Sequence, residues 1–156
     1  MTSYSLKIDH EACWGCKTCE VACKQENGAP DGVKLISVIE DGPKTVDGKL
    51  SFVFNVNLCR HCDEPPCADA CPDGAIDKRS DGIVIMDYDL CTGCQACIEA
   101  CPYDAIDFDP AKGIAQKCNL CHHRIESGLI PACADNVCLA HCIYFKNNLA
   151  TQKTGQ

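Results

Sequence analysis

The chain has 156 residues, 17 of them cysteine, and a formal net charge of −8 at pH 7. Cysteine at this frequency indicates either a disulfide scaffold or metal binding, while the acidic balance excludes a nucleic-acid-binding protein, which needs clustered basic residues. The length fits a single domain over residues 1–156, and no apolar run is long enough to cross a bilayer.

The N-terminal residues favour metal binding over disulfide bonds. Residues 1–7 are polar, and they lack both the apolar segment of a secretory signal and a twin-arginine pair. We therefore expect a cytoplasmic protein whose cysteines are reduced and bind metal.

The first candidate ligands come early in the chain and lead into a helix. Cys13, Cys16, Cys19 and Cys23 have the C-x2-C-x2-C-x3-C spacing with which bacterial ferredoxins bind iron–sulfur clusters. A short helix is predicted over residues 19–25. In bacterial ferredoxins the fourth cysteine of such a run binds the other cluster, so this set predicts a site that shares a ligand with a second one.

A β-hairpin is predicted between the first and second cysteine sets. Residues 33–39 and 50–56 are predicted as strands, because apolar residues such as Phe52 and Phe54 alternate along one side of the second. The turn-forming residues at positions 40–48 predict the connection between them.

The second and third cysteine sets repeat the first. Both end in Cys-Pro, as in bacterial ferredoxins, although the second has two additional residues before its third cysteine. Short helices are predicted over residues 67–71 and 97–101. The ligands of these two sets are Cys59, Cys62, Cys67 and Cys71, and Cys91, Cys94, Cys97 and Cys101.

Matching residues follow the last cysteine of each of these two sets. Alanine and isoleucine stand at the same offsets in both, as Ala75 and Ile76 and as Ala105 and Ile106. This internal repeat predicts that the chain leaves each cluster and starts a hairpin packed on it. Residues 82–87 are predicted as a strand that precedes the third set.

The fourth set has five cysteines for four positions: Cys118, Cys121, Cys133, Cys138 and Cys142. If Cys133 and Cys138 complete the set, Cys142 is a spare thiol in the position that alanine occupies in the other repeats. If Cys138 and Cys142 complete it, the usual x3 spacing is kept. We favour the first assignment because Cys133 follows a Pro-Ala pair that also suits a ligand.

The remaining predicted elements are a helix and a tail. The helix is predicted over residues 119–127 and ends at Gly128. Residues 146–156 are polar and lack periodicity, which predicts a loose tail or a docking arm.

Iron–sulfur clusters fit the cysteine pattern better than zinc does. Zinc sites usually use two cysteine pairs set well apart, whereas here three cysteines recur in one tight loop with a trailing fourth. The four sets therefore predict four [4Fe–4S] clusters.

Other side chains beside the cysteine loops are predicted to support the clusters rather than to bind them. Trp14 would shield one cluster from water, and Arg60 and Arg124 would stabilise reduced clusters by their charge. The loop histidines, His61 among them, would pack beside clusters or donate hydrogen bonds that adjust the reduction potential.

Together the four sets resemble a known family of electron-transfer proteins. Residues 13–23, residues 59–67 with their Pro-Pro pair, and residues 118–133 are similar to the motifs of four-cluster, ferredoxin-like subunits that accompany molybdenum and tungsten enzymes. These include the iron–sulfur subunits of the dimethyl sulfoxide reductase family. The compact length and the Cys-Leu-Ala-His-Cys segment at 138–142 also resemble the small polyferredoxin subunits of tungsten-dependent aldehyde oxidoreductases.

The resemblance implies an α+β fold of two tandem modules like bacterial ferredoxin, with short hairpins and helices around four [4Fe–4S] clusters. The inner module would span about residues 50–110, and the outer module would combine residues 1–49 with 111–145. Each cluster would take three cysteines from one set and the fourth from another. The implied ligand groups are Cys13, Cys16, Cys19 and Cys138; Cys118, Cys121, Cys133 and Cys23; Cys59, Cys62, Cys67 and Cys101; and Cys91, Cys94, Cys97 and Cys71.

The implied function is electron transfer without catalysis. The sequence has no G-x-G-x-x-G motif and no phosphate loop, so it predicts no nicotinamide or flavin site of its own. The implied partners are a catalytic subunit with a molybdenum or tungsten cofactor and a flavin-containing or other electron-accepting subunit, and copies of the chain itself are a further candidate. The alternative is a free-standing polyferredoxin that diffuses between enzymes.

Overall fold

Each strand within residues 4–148, the part of the chain that the computed structural model describes, has a single antiparallel partner. The strands are β1 (Tyr4–Ile8), β2 (Ile36–Val46), β3 (Lys49–Leu58), β4 (Ile76–Lys78), β5 (Val84–Met86), β6 (Ile106–Asp109), β7 (Ile114–Lys117) and β8 (Ile143–Asn147). They form the ribbons β1–β8, β2–β3, β4–β5 and β6–β7. The helices are α1 (Thr18–Asn27), α2 (Pro66–Asp69), α3 (Ala96–Ala100) and α4 (His122–Glu126), with a 3-10 turn at Ala132–Ala134. These short hairpins and helices confirm the predicted α+β class.

Three of the ribbons use a strand that begins just after a cysteine set. Ile76 and Ile106 are the first residues of β4 and β6, which confirms the two predicted hairpins. Ile143 begins β8 at the same distance along the sequence from Cys138. All three isoleucines are buried. The repeat therefore marks where the chain leaves a cysteine loop and starts a strand against the core.

The predicted hairpin between the first two sets is confirmed as β2–β3, but its strands are longer than predicted. They run through residues 40–46, which were predicted to form the connection, and only Asp47 and Gly48 form the turn. Both turn residues have positive φ, 50° and 75°, as a two-residue hairpin turn requires. Gly42 and Pro43, which suggested a turn, instead lie where the register of the two strands shifts.

The pairing of β1 with β8 joins the two ends of the described residues, and the sequence did not predict it. The rings of Tyr4 and Phe145 stack across this ribbon, with their centres 5.8 Å apart. Lys146 and Asn147 belong to β8, so their assignment to a loose tail is wrong: backbone pairing with β1 outweighs their polar composition. Residues 149–156 of the predicted tail lie outside the described residues.

All four predicted helices are present, and the largest difference is at α4. This helix begins at His122 because Leu120 and Cys121 have φ of 55° and 48°, a left-handed conformation that an α-helix excludes. The longest helix, α1, has ten residues. No helix within residues 4–148 is long and apolar enough to cross a membrane.

Buried side chains form two cores, and cysteines contribute to both. The first core combines residues 19–58 with residues 118–143, and the second lies within residues 67–115. Val56 and Leu58 pack in the first core, although they were predicted to belong to the inner module. The cysteines that belong to these cores are Cys19, Cys23, Cys118, Cys133, Cys138 and Cys142 in the first, and Cys67 and Cys97 in the second. Thiols thus occupy positions that aliphatic side chains fill in most domains.

Candidate metal centres

All four C-x2-C loops share one backbone feature. The residue before the second cysteine has a left-handed φ: Gly15 (70°), His61 (47°), Gly93 (75°) and Leu120 (55°). At His61 and Leu120 this conformation costs roughly 1–2 kcal/mol, because both carry a Cβ. Their N–H groups donate to the Sγ of Cys59 and Cys118, at 3.4 Å in each case. The sharp turn thus directs loop N–H groups at a sulfur, which favours the thiolate.

Gly93 tests whether the close approach between its loop and the backbone of Gly113 is required. A Cβ at Gly93 would overlap the backbone carbonyl of Gly113, whereas a Cβ at Gly74 would meet nothing within 4 Å, and both glycines have positive φ. We expect Gly74→Ala to lower the unfolding temperature of the loaded protein by about 2–8 °C and Gly93→Ala to lower it by more than about 10 °C. Differential scanning calorimetry of the two variants measures the difference, and equal shifts would contradict a role for the close approach.

Two cavities gather cysteines from different sets. The larger of the two lies at the Cys59 loop and the smaller at the Cys91 loop. Each is lined by three cysteines of one set and by the last cysteine of the other. The thiols are Cys59, Cys62, Cys67 and Cys101 in the larger cavity, and Cys91, Cys94, Cys97 and Cys71 in the smaller one. Each cavity therefore holds the thiols that a cluster with a shared ligand needs.

Thiols of the first and fourth sets are also neighbours, although they lie far apart in the sequence. Electrostatic interactions link Cys19 with Cys13 and Cys138, and Cys133 with Cys118, Cys23 and Cys121. The Sγ of the exposed Cys16 lies 3.3 Å from the Thr18 hydroxyl oxygen. This hydroxyl donates a hydrogen bond to the Val137 carbonyl at 2.8 Å. The start of α1 is thus attached to the segment that carries Cys138.

Burial raises the pKa of several core thiols. The pKa rises to about 11 for Cys19, about 12 for Cys23 and about 11 for Cys97, because a dry interior disfavours the charged thiolate and neighbouring thiolates repel it. Such thiols ionise only when a cation compensates their charge. Iron loading of these sites must therefore release protons.

The separations of the cysteine thiols are compatible with iron–sulfur clusters. All seventeen cysteines lie within the described residues, and all are free. Among residues 4–148, no three Cys, His, Asp or Glu side chains converge closely enough to hold one metal ion. Thiolates that bind separate irons of one cluster stand further apart than the ligands of a single ion.

Comparisons with known proteins agree with this geometry. A family model described as a 4Fe-4S dicluster domain matches residues 50–148, and a second model with the same description matches residues 12–76. A polysulfide reductase subunit of Wolinella succinogenes is 41% identical over 144 residues, which cover 91% of this chain and 75% of the relative. This protein belongs to the reductase iron–sulfur subunit family.

Further members of this family come from sulfur-compound reductases. A tetrathionate reductase subunit of Salmonella typhimurium is 41% identical over 138 residues, which cover 85% of this chain and 54% of the relative. A subunit of the anaerobic dimethyl sulfoxide reductase of Haemophilus influenzae is 38% identical over 143 residues, covering 86% of this chain and 70% of the relative. The chain thus spans about half to three quarters of the length of these relatives. With two dicluster matches, this iron–sulfur subunit carries four [4Fe–4S] clusters.

The iron–sulfur subunit repeats one turn after three of its cysteines. The third residue after each has a left-handed φ and donates its N–H to the carbonyl of that cysteine: Gly74 after Cys71, Asp104 after Cys101, and His141 after Cys138. Cys142 donates its backbone N–H to the Sγ of Cys138 at 3.4 Å. Ala75 makes the same bond to Cys71, at 3.3 Å. In the repeat, Cys142 therefore occupies the position of Ala75.

Arg124, one of the predicted supporting side chains of the iron–sulfur subunit, differs from its predicted role. Trp14 is 66% exposed, and its role as a shield over a cluster stays a prediction. Arg124 is held by Glu26 at 3.0 Å and Asp135 at 2.6 Å, and these carboxylates balance the charge that was expected to act on a cluster. Arg60 stacks on the ring of Tyr103, 4.5 Å from its centre.

Lys117 was not identified from the sequence. This side chain is 1% exposed, although lysine is among the residues least often buried, and its Nζ lies 3.6 Å from the Sγ of Cys59. The only sign of a role in the sequence is that Lys117 directly precedes Cys118. This sign is weak, because a basic residue beside a motif is normally solvated. The burial of Lys117, which singles it out from other lysines, can be seen only in the folded structure.

Proposed function

We propose that this chain is the electron-transfer subunit of a molybdenum-dependent reductase, in which it passes single electrons between the catalytic subunit and another redox partner. The observation that carries the proposal is the sharing of thiols, since each inner cavity is completed by a cysteine of the neighbouring set. Shared ligands hold clusters close together, and electron transfer requires short separations. The reductase relatives support the choice of partner enzyme.

In the proposed ligand assignment, each cluster takes three cysteines of one loop and one distant cysteine, as the family resemblance implies. The two inner cavities and the electrostatic neighbours of Cys19 and Cys133 support this assignment. The assigned ligands are Cys13, Cys16, Cys19 and Cys138; Cys118, Cys121, Cys133 and Cys23; Cys59, Cys62, Cys67 and Cys101; and Cys91, Cys94, Cys97 and Cys71.

Interactions between thiols of different clusters support one linear order for the four. The linking pairs are Cys19 with Cys23, Cys118 with Cys59, and Cys67 with Cys97. The order then runs from the Cys13 loop through the Cys118 and Cys59 loops to the Cys91 loop. The two exposed cysteines, Cys16 and Cys94, belong to the clusters at the two ends, so we propose that electrons enter and leave there.

Molybdenum is favoured over tungsten as the partner's metal. The three relatives are subunits of tetrathionate, polysulfide and dimethyl sulfoxide reductases. The likeness to tungsten-dependent aldehyde oxidoreductase subunits depends on the compact length and on residues 138–142, and these relatives give it no support. The flavin-containing or other electron-accepting subunit stays a prediction.

The compartment in which the protein acquires its clusters also belongs to this proposal. Seventeen free thiols favour a reducing environment during folding, because oxidation would convert them to disulfides before iron arrives. We therefore propose that the clusters are inserted in the cytoplasm.

Gentle anaerobic purification from the native host tests the proposed function. We expect a large catalytic subunit to co-purify and metal analysis to find molybdenum in addition to about sixteen irons for each copy of this chain. A chain that emerges alone with reducible clusters would instead be a free-standing electron carrier, and a tungsten-containing partner would restore the other enzyme class.

The roles of Cys138 and Cys142 can be separated by a matched pair of variants. The two Sγ atoms lie 3.5 Å apart, and burial together with this contact raises the pKa of Cys142 to about 12, which suits a neutral thiol. We expect Cys142→Ala to keep about sixteen irons, because alanine stands at this position in the other repeats, and Cys138→Ala to lose iron from one cluster.

The iron content and the cluster signals of the two purified variants can be measured by iron analysis and electron paramagnetic resonance. Equal loss of one cluster in both variants would contradict the assignment of Cys142 as a spare thiol. It would instead select Cys138 and Cys142 as the ligand pair with the usual x3 spacing, and Cys133→Ala should then keep all four clusters.

A further inference from the structure

Lys117 is a buried cation at the end of β7. Its Nζ donates hydrogen bonds to the carbonyl oxygens of Val84 and Cys118, the latter at 2.8 Å. The same atom lies 3.6 Å from the Sγ of Cys59. Within residues 4–148, no carboxylate lies at ion-pair distance from this ammonium group.

A buried ammonium group needs an anion nearby. Two carbonyl oxygens satisfy hydrogen bonds of Lys117 but leave its full charge uncompensated, and burial of an unpaired charge is strongly unfavourable. The acidic group that Lys117 does contact is Cys59, which lines the larger cavity. A four-thiolate cluster in that cavity is an anion, so the fold pairs the buried cation with the cluster.

His61 supplies an independent observation at the same loop. It is 4% exposed, and its Nδ1 accepts the Val84 N–H at 3.0 Å, so the proton of the neutral ring is on Nε2. Nε2 is buried and has no hydrogen-bond partner among the described residues, which is rare for a buried polar atom. Because His61 stands between Cys59 and Cys62, a cluster sulfur is the acceptor that would satisfy it.

Lys117 and His61 are linked through the backbone of one residue. Lys117 donates to the carbonyl of Val84, and His61 accepts the Val84 N–H. Because Nδ1 already accepts the Val84 N–H, the imidazole is neutral and only its Nε2–H is left to donate. The pair therefore presents one fixed positive charge and one neutral N–H donor to the loop.

We propose that Lys117 and His61 raise the reduction potential of the cluster assigned to the Cys59 loop, so that this inner cluster is the first of the four to hold an electron. The inference rests on the proposed function and on its ligand assignment. The electron comes from a neighbouring cluster, which is oxidised by one electron, and neither side chain gains or loses a proton. A fixed cation and an N–H donor in a dry interior stabilise the added negative charge.

Lys78 provides a matched control beside the same loop. Its Nζ donates to the Cys62 carbonyl at 3.1 Å and forms an ion pair with Asp63 at 2.9 Å. The Lys78–Asp63 pair reaches solvent, with side chains 21% and 70% exposed, whereas Lys117 is buried and has no carboxylate partner among the described residues. Water screens the charge change in Lys78→Gln, so this variant should leave the cluster potential nearly unchanged.

A redox titration of the loaded protein, followed by electron paramagnetic resonance, tests the inference. In Lys117→Gln, we expect one of the four midpoint potentials to fall by at least about 59 mV, a tenfold change in the equilibrium constant of a one-electron reduction. Lys78→Gln should shift none of them by that amount, and Lys117→Arg should retain most of the original value. Unchanged potentials in Lys117→Gln protein with full iron content would overturn the inference.

His61→Asn decides the question if Lys117→Gln does not load with iron. Asparagine tolerates the φ of 47° at this position but has no Nε2, so the same midpoint potential should fall. An unchanged potential in this loaded variant overturns the inference. Co-purification of a catalytic subunit is scored separately, so loss of the partner with the potential shift intact would remove the proposed function and leave this role of Lys117 standing.

Discussion

Replacement of Cys71 by alanine should damage the cluster of the next loop rather than the cluster of its own. The Cys71 thiol lines the smaller cavity with the cysteines of the Cys91 loop, whereas the other cysteines of its set line the larger cavity with Cys101. Without its fourth thiolate, the cluster at the Cys91 loop should lose an iron or fail to form, and the iron content should fall below about sixteen per chain.

Paired variants make this expectation specific. Electron paramagnetic resonance of reduced protein should lose the same cluster signal in Cys71→Ala as in Cys94→Ala. By the same reasoning, Cys101→Ala should lose the signal that Cys62→Ala loses. If Cys71→Ala instead matches Cys62→Ala, each loop binds its own fourth cysteine and the shared-ligand arrangement is wrong.

Removal of iron should unfold the whole chain. Within residues 4–148 the strands form only two-stranded ribbons, which are marginally stable alone, and eight cysteines occupy the two cores. Structural metal binding can contribute about 10–16 kcal/mol for a single zinc site, while an entire domain is stable by only about 5–15 kcal/mol. Loss of four clusters therefore exceeds any stability that the remaining contacts provide.

Circular dichroism and amide hydrogen exchange after anaerobic chelation test this expectation. We expect the strand signal and the exchange protection of the core amides to disappear together, and we expect both to return when iron and sulfide are added back under reducing conditions. An iron-free chain that kept native protection in β2–β3 and β6–β7 would show that apolar packing alone holds the fold.

The cluster chemistry was predictable because its residue requirements are local. A tight loop that supplies three thiolates needs cysteines at fixed short spacings, so Cys91, Cys94 and Cys97 identify a site without any tertiary information. The hairpins after two sets followed from the repeated Ala-Ile pair, which the structure gives buried positions at Ile76 and Ile106. The sequence pattern therefore predicts the structure correctly where the cysteine loop and the residues directly after it determine the local fold.

The features that the sequence did not predict depend on residues far apart in the chain. The β1–β8 ribbon aligns Tyr4 with Asn147, and two short, partly polar segments give no sign of that pairing. Trp14 carries a large apolar ring that suggests burial, yet it is exposed among the described residues. Lys117 shows the reverse, since a residue type that is normally solvated is enclosed by groups from several elements, including Val84 and Cys59.

A reductive titration of the purified, fully loaded chain tests the central claim most directly. We predict that protein with about sixteen irons takes up about four electrons, one for each cluster, and that all four are returned to an added electron acceptor. Clusters that remain oxidised over the potential range of such sites would contradict the assignment of this chain as an electron-transfer subunit, and an uptake of fewer than four electrons would contradict the assignment of four clusters.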